Sequence, residues 1–574
     1  MRSRLATLIV VAIVAGTFVI GLIVGAQRDD ETGPVDLIVL NGRIYTADGS
    51  GSFAEALAVR GNTILRVGSN REVKRLAGRS TETIDAHGAS VLPGLNDAHL
   101  HLVSGGLGLQ QANLLDASTL EEIGAAIEAF AAAHPDRPWV LGRGWYYTPF
   151  PGGLPTRQQL DALVPDRPAY MRCYDGHTAW VNTLALKAAG ITRETPDPPG
   201  GVVVRDPATG DPTGVLKEAA QELVARHLPE WTRDDRLRAI GDAIAKAHEL
   251  GVTSAQNAGV DEAEVELYDE LLKKGDLQLR LYNAISIEPP FTAADADRLD
   301  GLWKRRPDDA LVKMGAVKLM LDGVIESHTA AMLEPYANRP ATGLPNMDAA
   351  TLNGIVAMMD RRGWQVLVHA IGDAAVRQSL DAFEHAAAVN PVPARGRRHR
   401  IEHVETLQPS DVPRFGRLGV VAVQQPFHGN PNPTQLAVWS ANLGPERASR
   451  GWAQRSILDA GGRLAMGTDW PVVTLDPRYQ INMAINRTTP EGTPPGGWLP
   501  EQRLTLASAV DAYTTGAAYA SFDERRKGQL VPGMLADIVV LSTDVFANAP
   551  EKFLDAEVAV TIFDGKVVYR KTQP

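Results

Sequence analysis

The chain has 574 residues, more than one hydrophobic core ordinarily organises, so several domains are expected. Its 57 basic and 68 acidic residues leave a net charge of −11, which argues against nucleic acid as the main partner. Cys173 is the single cysteine, so an internal disulfide framework and a cysteine-based metal cluster are both excluded.

In chain order, residues 1–34 stand apart. The run 5–26, "LATLIVVAIVAGTFVIGLIVGA", carries no charge and is about long enough to cross a bilayer as a helix. Arg2 and Arg4 precede it, and Asp29, Asp30 and Glu31 follow. That asymmetry places the N-terminus in the cytoplasm and the body outside. The run reads as a membrane anchor; a cleaved signal sequence ending "VGA" before Gln27 is the alternative, and it makes the body secreted.

Residues 35–92 read as short strands broken by Asn-Gly and Gly-Asn turns, and residues 525–574 have the same texture. Either sheet would be small alone, so the two ends are expected to build one composite β-sandwich. Between them, residues 93–524 alternate apolar strands with helical stretches, the pattern of a parallel α/β fold. The strand candidates are "VLPGLNDAHLH" (91–101), "GVTSAQNAG" (251–259), "LRLYNAIS" (279–286), "GAVKLMLDG" (315–323), "WQVLVHAIGD" (364–373), "HRIEHVE" (399–405), "GVVAVQQPFH" (419–428) and "RLAMGTDWPV" (463–472). Eight parallel strands close a (β/α)8 TIM barrel. The long first gap, residues 104–248, reads as an insertion after strand one, expected over the catalytic mouth because barrel sites form at the strands' C-terminal ends.

Those strand ends carry a selective set of residues. His99 and His101 are two apart, so on a strand both imidazoles face one way. Taken alone, the pair is a set of metal ligands or an ordinary pair of histidines. However, His369 ends strand five, His403 strand six and Asp469 strand eight, while Lys318 lies on strand four. Four histidines and a carboxylate at one mouth make a site for a borderline divalent metal such as zinc. His87, His134, His227, His248, His385 and His399 fall in turns or helices and read as structural or exposed.

"PGLNDAHLHL", "VKLMLDGVIESHTAAM", "VLVHAIGDAAV", "RIEHVE", "QQPFH" and "GTDWPV" together resemble the amidohydrolase superfamily, and within it amidohydrolase family 3, the branch that includes N-substituted formamide deformylase. "DGHTAWVNTLAL" (175–186) and "GVLKEAA" (214–220) resemble that branch in particular. The resemblance runs from about residue 35 to the end. It implies a barrel beside a composite sandwich, with one or two divalent metals, usually zinc. By resemblance His99 and His101 hold the more buried metal with Asp469, and His369 and His403 hold a second. It also implies a carboxylated Lys318 bridging both ions, with Glu218 in "GVLKEAA" as a rival ligand; a carboxylate at a helix start is also favoured by the helix dipole alone.

The expected reaction is hydrolysis of a non-peptide carbon–nitrogen bond, amide or formamide. Metal coordination brings the pKa of a bound water to about 7. Asp469 is the candidate general base. His177, Trp145, Trp180, Glu218, His328 and His428 are candidate substrate contacts, and Asp322 and Asp373 candidate carboxylates that orient ligands. Hydrolysis of C–O or P–O esters or lactones, deamination, and a catalytically silent membrane-tethered binding protein are the alternatives. The expected partners are a small-molecule substrate and the membrane, with a homodimer admitted.

Overall fold

The structure, a computed structural model, describes residues 34–572 apart from 116, 148, 175–177, 200 and 307–308. The apolar run expected as an anchor lies outside the described residues, as does His177. Among the described residues no helix is long and apolar enough to cross a membrane.

Eight strands form one parallel sheet: Leu95–Leu100 (β1), Val252–Val260 (β2), Arg280–Ser286 (β3), Val312–Met320 (β4), Gln365–Ala370 (β5), Arg400–His403 (β6), Val421–Gln424 (β7) and Arg463–Met466 (β8). Neighbours in sequence are neighbours in the sheet, all seven ladders running parallel. Such strands are buried on both faces, which is why they read as continuous apolar runs. The seam between β1 and β8 is joined just past β8. The Asp469 N–H donates to the His99 carbonyl (2.6 Å), and the His101 N–H donates to the Trp470 carbonyl (2.8 Å). The Thr468 N–H and hydroxyl both donate to the Asp97 carboxylate. Gly467 permits this approach, since a Cβ there would lie 2.3 Å from the His99 nitrogen. The hydrogen bonds that close the barrel therefore also bring the ends of β1 and β8 together.

Polar residues placed before the helices start them. Asp261 and Asp348 cap Glu262–Lys274 and Ala349–Arg361, and Thr292 with Asp295 forms a capping box on Ala293–Lys304.

The first strand differs from expectation. "VLPGLNDAHLH" is two strands, not one: Ser90–Pro93 pairs with Ile538–Leu541 in a different sheet, and the barrel begins at Leu95. The break is Gly94. Its N–H donates to the Asp537 carbonyl, and a Cβ on it would meet Thr253 Oγ1 at 2.2 Å.

Two sheets make the sandwich. One has the order Thr63–Gly68, Ala56–Arg60, Val35–Leu40, Ala77–Asp85. The other mixes both ends of the chain: Lys566–Arg570, Val558–Phe563, Ile538–Leu541, Ser90–Pro93, Arg43–Tyr45, Phe53–Ala54. Leu37, Val39, Leu57 and Val59 from the first share a buried core with Val91, Ile538, Val560 and Ile562 from the second. A buried ion pair ties this domain to the barrel: Arg280 at the start of β3 donates to both Asp537 carboxylate oxygens (2.6 and 2.9 Å) and to Asp564 (2.7 Å).

Residues Leu102–Ala245 form a separate compact unit between β1 and β2. Its six-stranded sheet runs Gly201–Arg205, Pro212–Glu218, Thr178–Val181, Ala169–Cys173, Val140–Trp145, Ala112–Asn113. Trp145, Phe150, Leu160, Met171 and Trp180 pack in its own core.

Candidate metal centre

At the C-terminal end of the barrel, Asp469 is the common neighbour of four imidazoles. One carboxylate oxygen lies 3.4 Å from His99 Nε2 and 3.2 Å from His101 Nε2. The other lies 4.0 Å from His403 Nδ1 and 3.7 Å from His428 Nε2. Two donor triads result, His99–His101–Asp469 and His403–His428–Asp469, each with its donor atoms within 4.8 Å of one another. His99 Nε2, His403 Nδ1 and His428 Nε2 are buried without a hydrogen-bond partner. Buried polar atoms ordinarily have partners, so three orphaned nitrogens facing one carboxylate fit a bound divalent cation.

The electrostatics suit the same role. Burial pushes His101, His369, His403 and His428 below the usual imidazole range, His369 to about 3, with Lys318 adding to the effect there. Neutral imidazole is the ligating form. Burial and Lys318 also push His99 down, but Asp469 and Glu402 outweigh them and raise it. Burial pushes Asp469 up, yet His99 and His101 hold its carboxyl well below the usual range. The Lys318 amine is lowered, chiefly by burial.

Backbone geometry helps the donors converge. His403 and Asp469 adopt φ of +75° and +60°, the left-handed region that residues other than glycine seldom occupy. On β6 this breaks strict alternation, so adjacent Glu402 and His403 both serve the site. Glu402 is the functional side chain that sequence reasoning missed. His99 Nδ1 donates to Glu402 at 2.5 Å, and Arg400 holds Glu402 through Nε (2.8 Å) and Nη2 (3.0 Å). Arg400 is itself held by Gln256 and by the Ala98 carbonyl. Burial would raise the Glu402 carboxyl, but Arg400 and His99 bring it down to about 2. The signal for it was "RIEH", an arginine and a glutamate two apart on a buried strand.

His369 lies beside His403, ring centroids 4.3 Å apart, but its Nε2 faces the Gly323 carbonyl (3.4 Å) and Asp322 (3.7 Å) rather than Asp469. Asp322 accepts the N–H groups of Ala331, Ile371 and Gly372. It thereby clamps the segment after β4 to the end of β5, and burial pushes it up to about 7 despite those donors. Asp373 binds Leu333 and Gln408, so it holds loops rather than a histidine. His328 bonds Asn338 within its own loop.

Trp145 and Trp180 are fully buried, their indole N–H groups donating to the carbonyls of Met171 and Thr156. Both pack in the insertion's core. Glu218, in the same unit, ends a strand at φ +49° and lines an open cavity with Tyr147, Thr178 and Lys217.

Residues 82–569 match the amidohydrolase family. The chain belongs to that family. Similar proteins include Protein LONG AFTER FAR-RED 3 of Arabidopsis thaliana, 35% identical, with 93% of this chain and 91% of the relative covered. N-substituted formamide deformylase of Arthrobacter pascens is 27% identical, with 94% and 99% covered. Among solved structures, an uncharacterized metal-dependent hydrolase of Pyrococcus furiosus superposes with a TM-score of 0.69 at 26% identity, covering 88% of this chain and 98% of its own. Family membership and the eight-stranded parallel barrel are thus shown, with His and Asp groups in it that could hold a metal ion.

Proposed function

We propose that this amidohydrolase cleaves a non-peptide carbon–nitrogen bond, of the amide or formamide type, in a small molecule. The observation that carries the reading is Asp469, one ionised carboxylate touching two groups of imidazoles at the barrel mouth. The formamide deformylase, a relative over nearly its whole length, supports the bond type.

His99, His101 and Asp469 would hold one divalent ion, and His403, His428 and the second Asp469 oxygen another. The nitrogen-and-carboxylate donor set suits zinc. His369, whose ring packs against that of His403, is the further residue that the family resemblance offers for the second ion. When bound, the metal polarises the scissile carbonyl and acidifies water. Asp469 takes the proton of the attacking water and returns it to the departing nitrogen. Arg400 and Glu402 fix His99 with its proton on Nδ1, so that Nε2 stays a donor of electrons. Burial lowers the Lys318 amine; its free-amine form would add to the carbon of carbon dioxide and release a proton to water, leaving a carboxylated side chain.

The test combines metal analysis of the purified chain, intact-mass measurement of the Lys318 peptide and a turnover panel of N-alkyl formamides, N-acetyl amines, esters and aminopurines. Stoichiometric divalent metal with turnover of the formamides or acetyl amines is expected. Metal-loaded protein that turns over only esters or only aminopurines overturns the assignment of the bond.

A further inference from the structure

Within the insertion, three residues stand in register across neighbouring antiparallel strands, Val202 opposite Lys217 and Lys217 opposite Thr178. Residues directly opposite one another share a face of the sheet, so their side chains form one row. Trp180, two residues beyond Thr178 on that face, packs with Trp145, Phe150 and Met171. The row therefore borders this aromatic core. Together with Tyr147, Leu154 and Glu218 it lines an open cavity of about 730 Å³. All six residues belong to the insertion.

The lining has a definite chemistry. The Tyr147 hydroxyl and Thr178 Oγ1 are hydrogen-bonded at 2.7 Å and give one polar wall. Lys217 brings a cation, and among the described residues its ammonium has neither a hydrogen bond nor an ion pair. Glu218 follows it in sequence, and strand alternation alone would send that carboxylate to the opposite face. Its φ of +49° turns the chain at the strand end instead, so that both charges line one cavity. Left-handed backbone in a residue other than glycine persists only where its surroundings enforce it, and such positions gather at ligand sites. Leu154 and Val202 supply apolar surface, Val202 being 47% exposed. Opposite charges on consecutive residues disfavour a simple anion or a simple cation, since each would meet one like charge. They suit a molecule that carries both signs, and the volume is that of a small-molecule site.

We propose that this cavity binds a small zwitterion with an apolar side chain, an α-amino acid. Its carboxylate lies against Lys217 and the Tyr147–Thr178 hydroxyls, its ammonium against Glu218 and its side chain against Leu154 and Val202. The site shares no residue with the metal centre and does not depend on which bond that centre cleaves. Isothermal titration of the metal-loaded, full-length protein with L-norleucine, D-norleucine, hexanoate and hexylamine provides the test. One equivalent of one norleucine enantiomer should bind at least about tenfold more tightly than hexanoate or hexylamine, each of which lacks one charged contact. Lys217→Gln and Glu218→Gln should each weaken that binding by about tenfold or more for the same reason, with circular dichroism and metal content unchanged. Asp469→Asn should bind norleucine as tightly as the wild type does. Hexanoate or hexylamine binding as tightly as norleucine overturns the zwitterion. Norleucine held equally well by both insertion variants, or lost in Asp469→Asn, lies outside this cavity and overturns the site. Failure of all four probes to bind overturns it as well.

Discussion

Asp469 sits at φ +60°, a backbone state that strains most residues by about 1–3 kcal/mol but that asparagine tolerates nearly as well as aspartate. Asp469→Asn is therefore the substitution that separates chemistry from folding, whereas alanine would disturb both. The variant should fold, shown by unchanged circular dichroism, and lose turnover by at least about a hundredfold, since it cannot accept a proton. Turnover within a few-fold of wild type would remove Asp469 from the role of base. Glu402 makes a different prediction because it touches no substrate atom in the proposed reaction. Glu402→Gln should weaken metal binding by about 10- to 100-fold through the loosened His99 ring, measured by competition with a chelating dye. Its charge also sets an acid limit. The folded carboxyl is held at about 2 against an ordinary 4.5, so its stabilisation is complete above pH 4.5 and is lost as pH falls from 4.5 toward 2. Unfolding free energy should therefore fall less steeply through that window in Glu402→Gln than in wild type; equal slopes would show that the Arg400–Glu402–His99 chain carries no such linkage. His99 and His101 could be picked out because a two-residue spacing on a strand fixes their common direction. Glu402 had only the Arg400–Glu402 spacing to mark it, because alternation sends it away from His403 and the positive φ at His403 brings both to one place.

At the scale of elements, the eight barrel strands were legible because burial on both faces forces unbroken apolar runs, and parallel connection forces helices between them. The division at Gly94 was hidden for the same reason: Ser90–Pro93 and Leu95–Leu100 are both buried, so nothing in hydropathy separates a sandwich strand from a barrel strand. The link between the two domains was equally hidden, since Arg280 and Asp537 lie far apart in sequence and neither stands in a motif. Its energetics follow from burial. Removing the guanidinium leaves a carboxylate stranded in the interior, which destabilises by about 3–5 kcal/mol. Arg280→Met should lower the denaturant midpoint accordingly, while Arg280→Met with Asp537→Leu should recover most of the loss. A single variant as stable as wild type would show that the pair contributes nothing to joining barrel and sandwich.

At the scale of the whole molecule, the described fold starts almost at its first strand. The Val35 N–H donates to the Leu76 carbonyl, and Val35–Leu40 is a central strand of its sheet, paired on both sides. At about 1.5 Å per helical residue, the uncharged run 5–26 is long enough to match the hydrocarbon thickness of a bilayer. We propose that it anchors the enzyme with the barrel on the outer side, the orientation set by Arg2 and Arg4 against Asp29, Asp30 and Glu31. Full-length protein should sediment with membranes and resist extraction by high salt, while a chain beginning at Pro34 should stay in the supernatant with kcat/KM within about two-fold of the anchored form, because Asp469 and its imidazoles lie wholly within residues 99–469. Salt extraction would be the signature of electrostatic attachment, which screening abolishes, and a mature N-terminus at Gln27 would mean that the run is removed as a signal. Either result would replace the anchor, and neither would alter the barrel that the anchor carries.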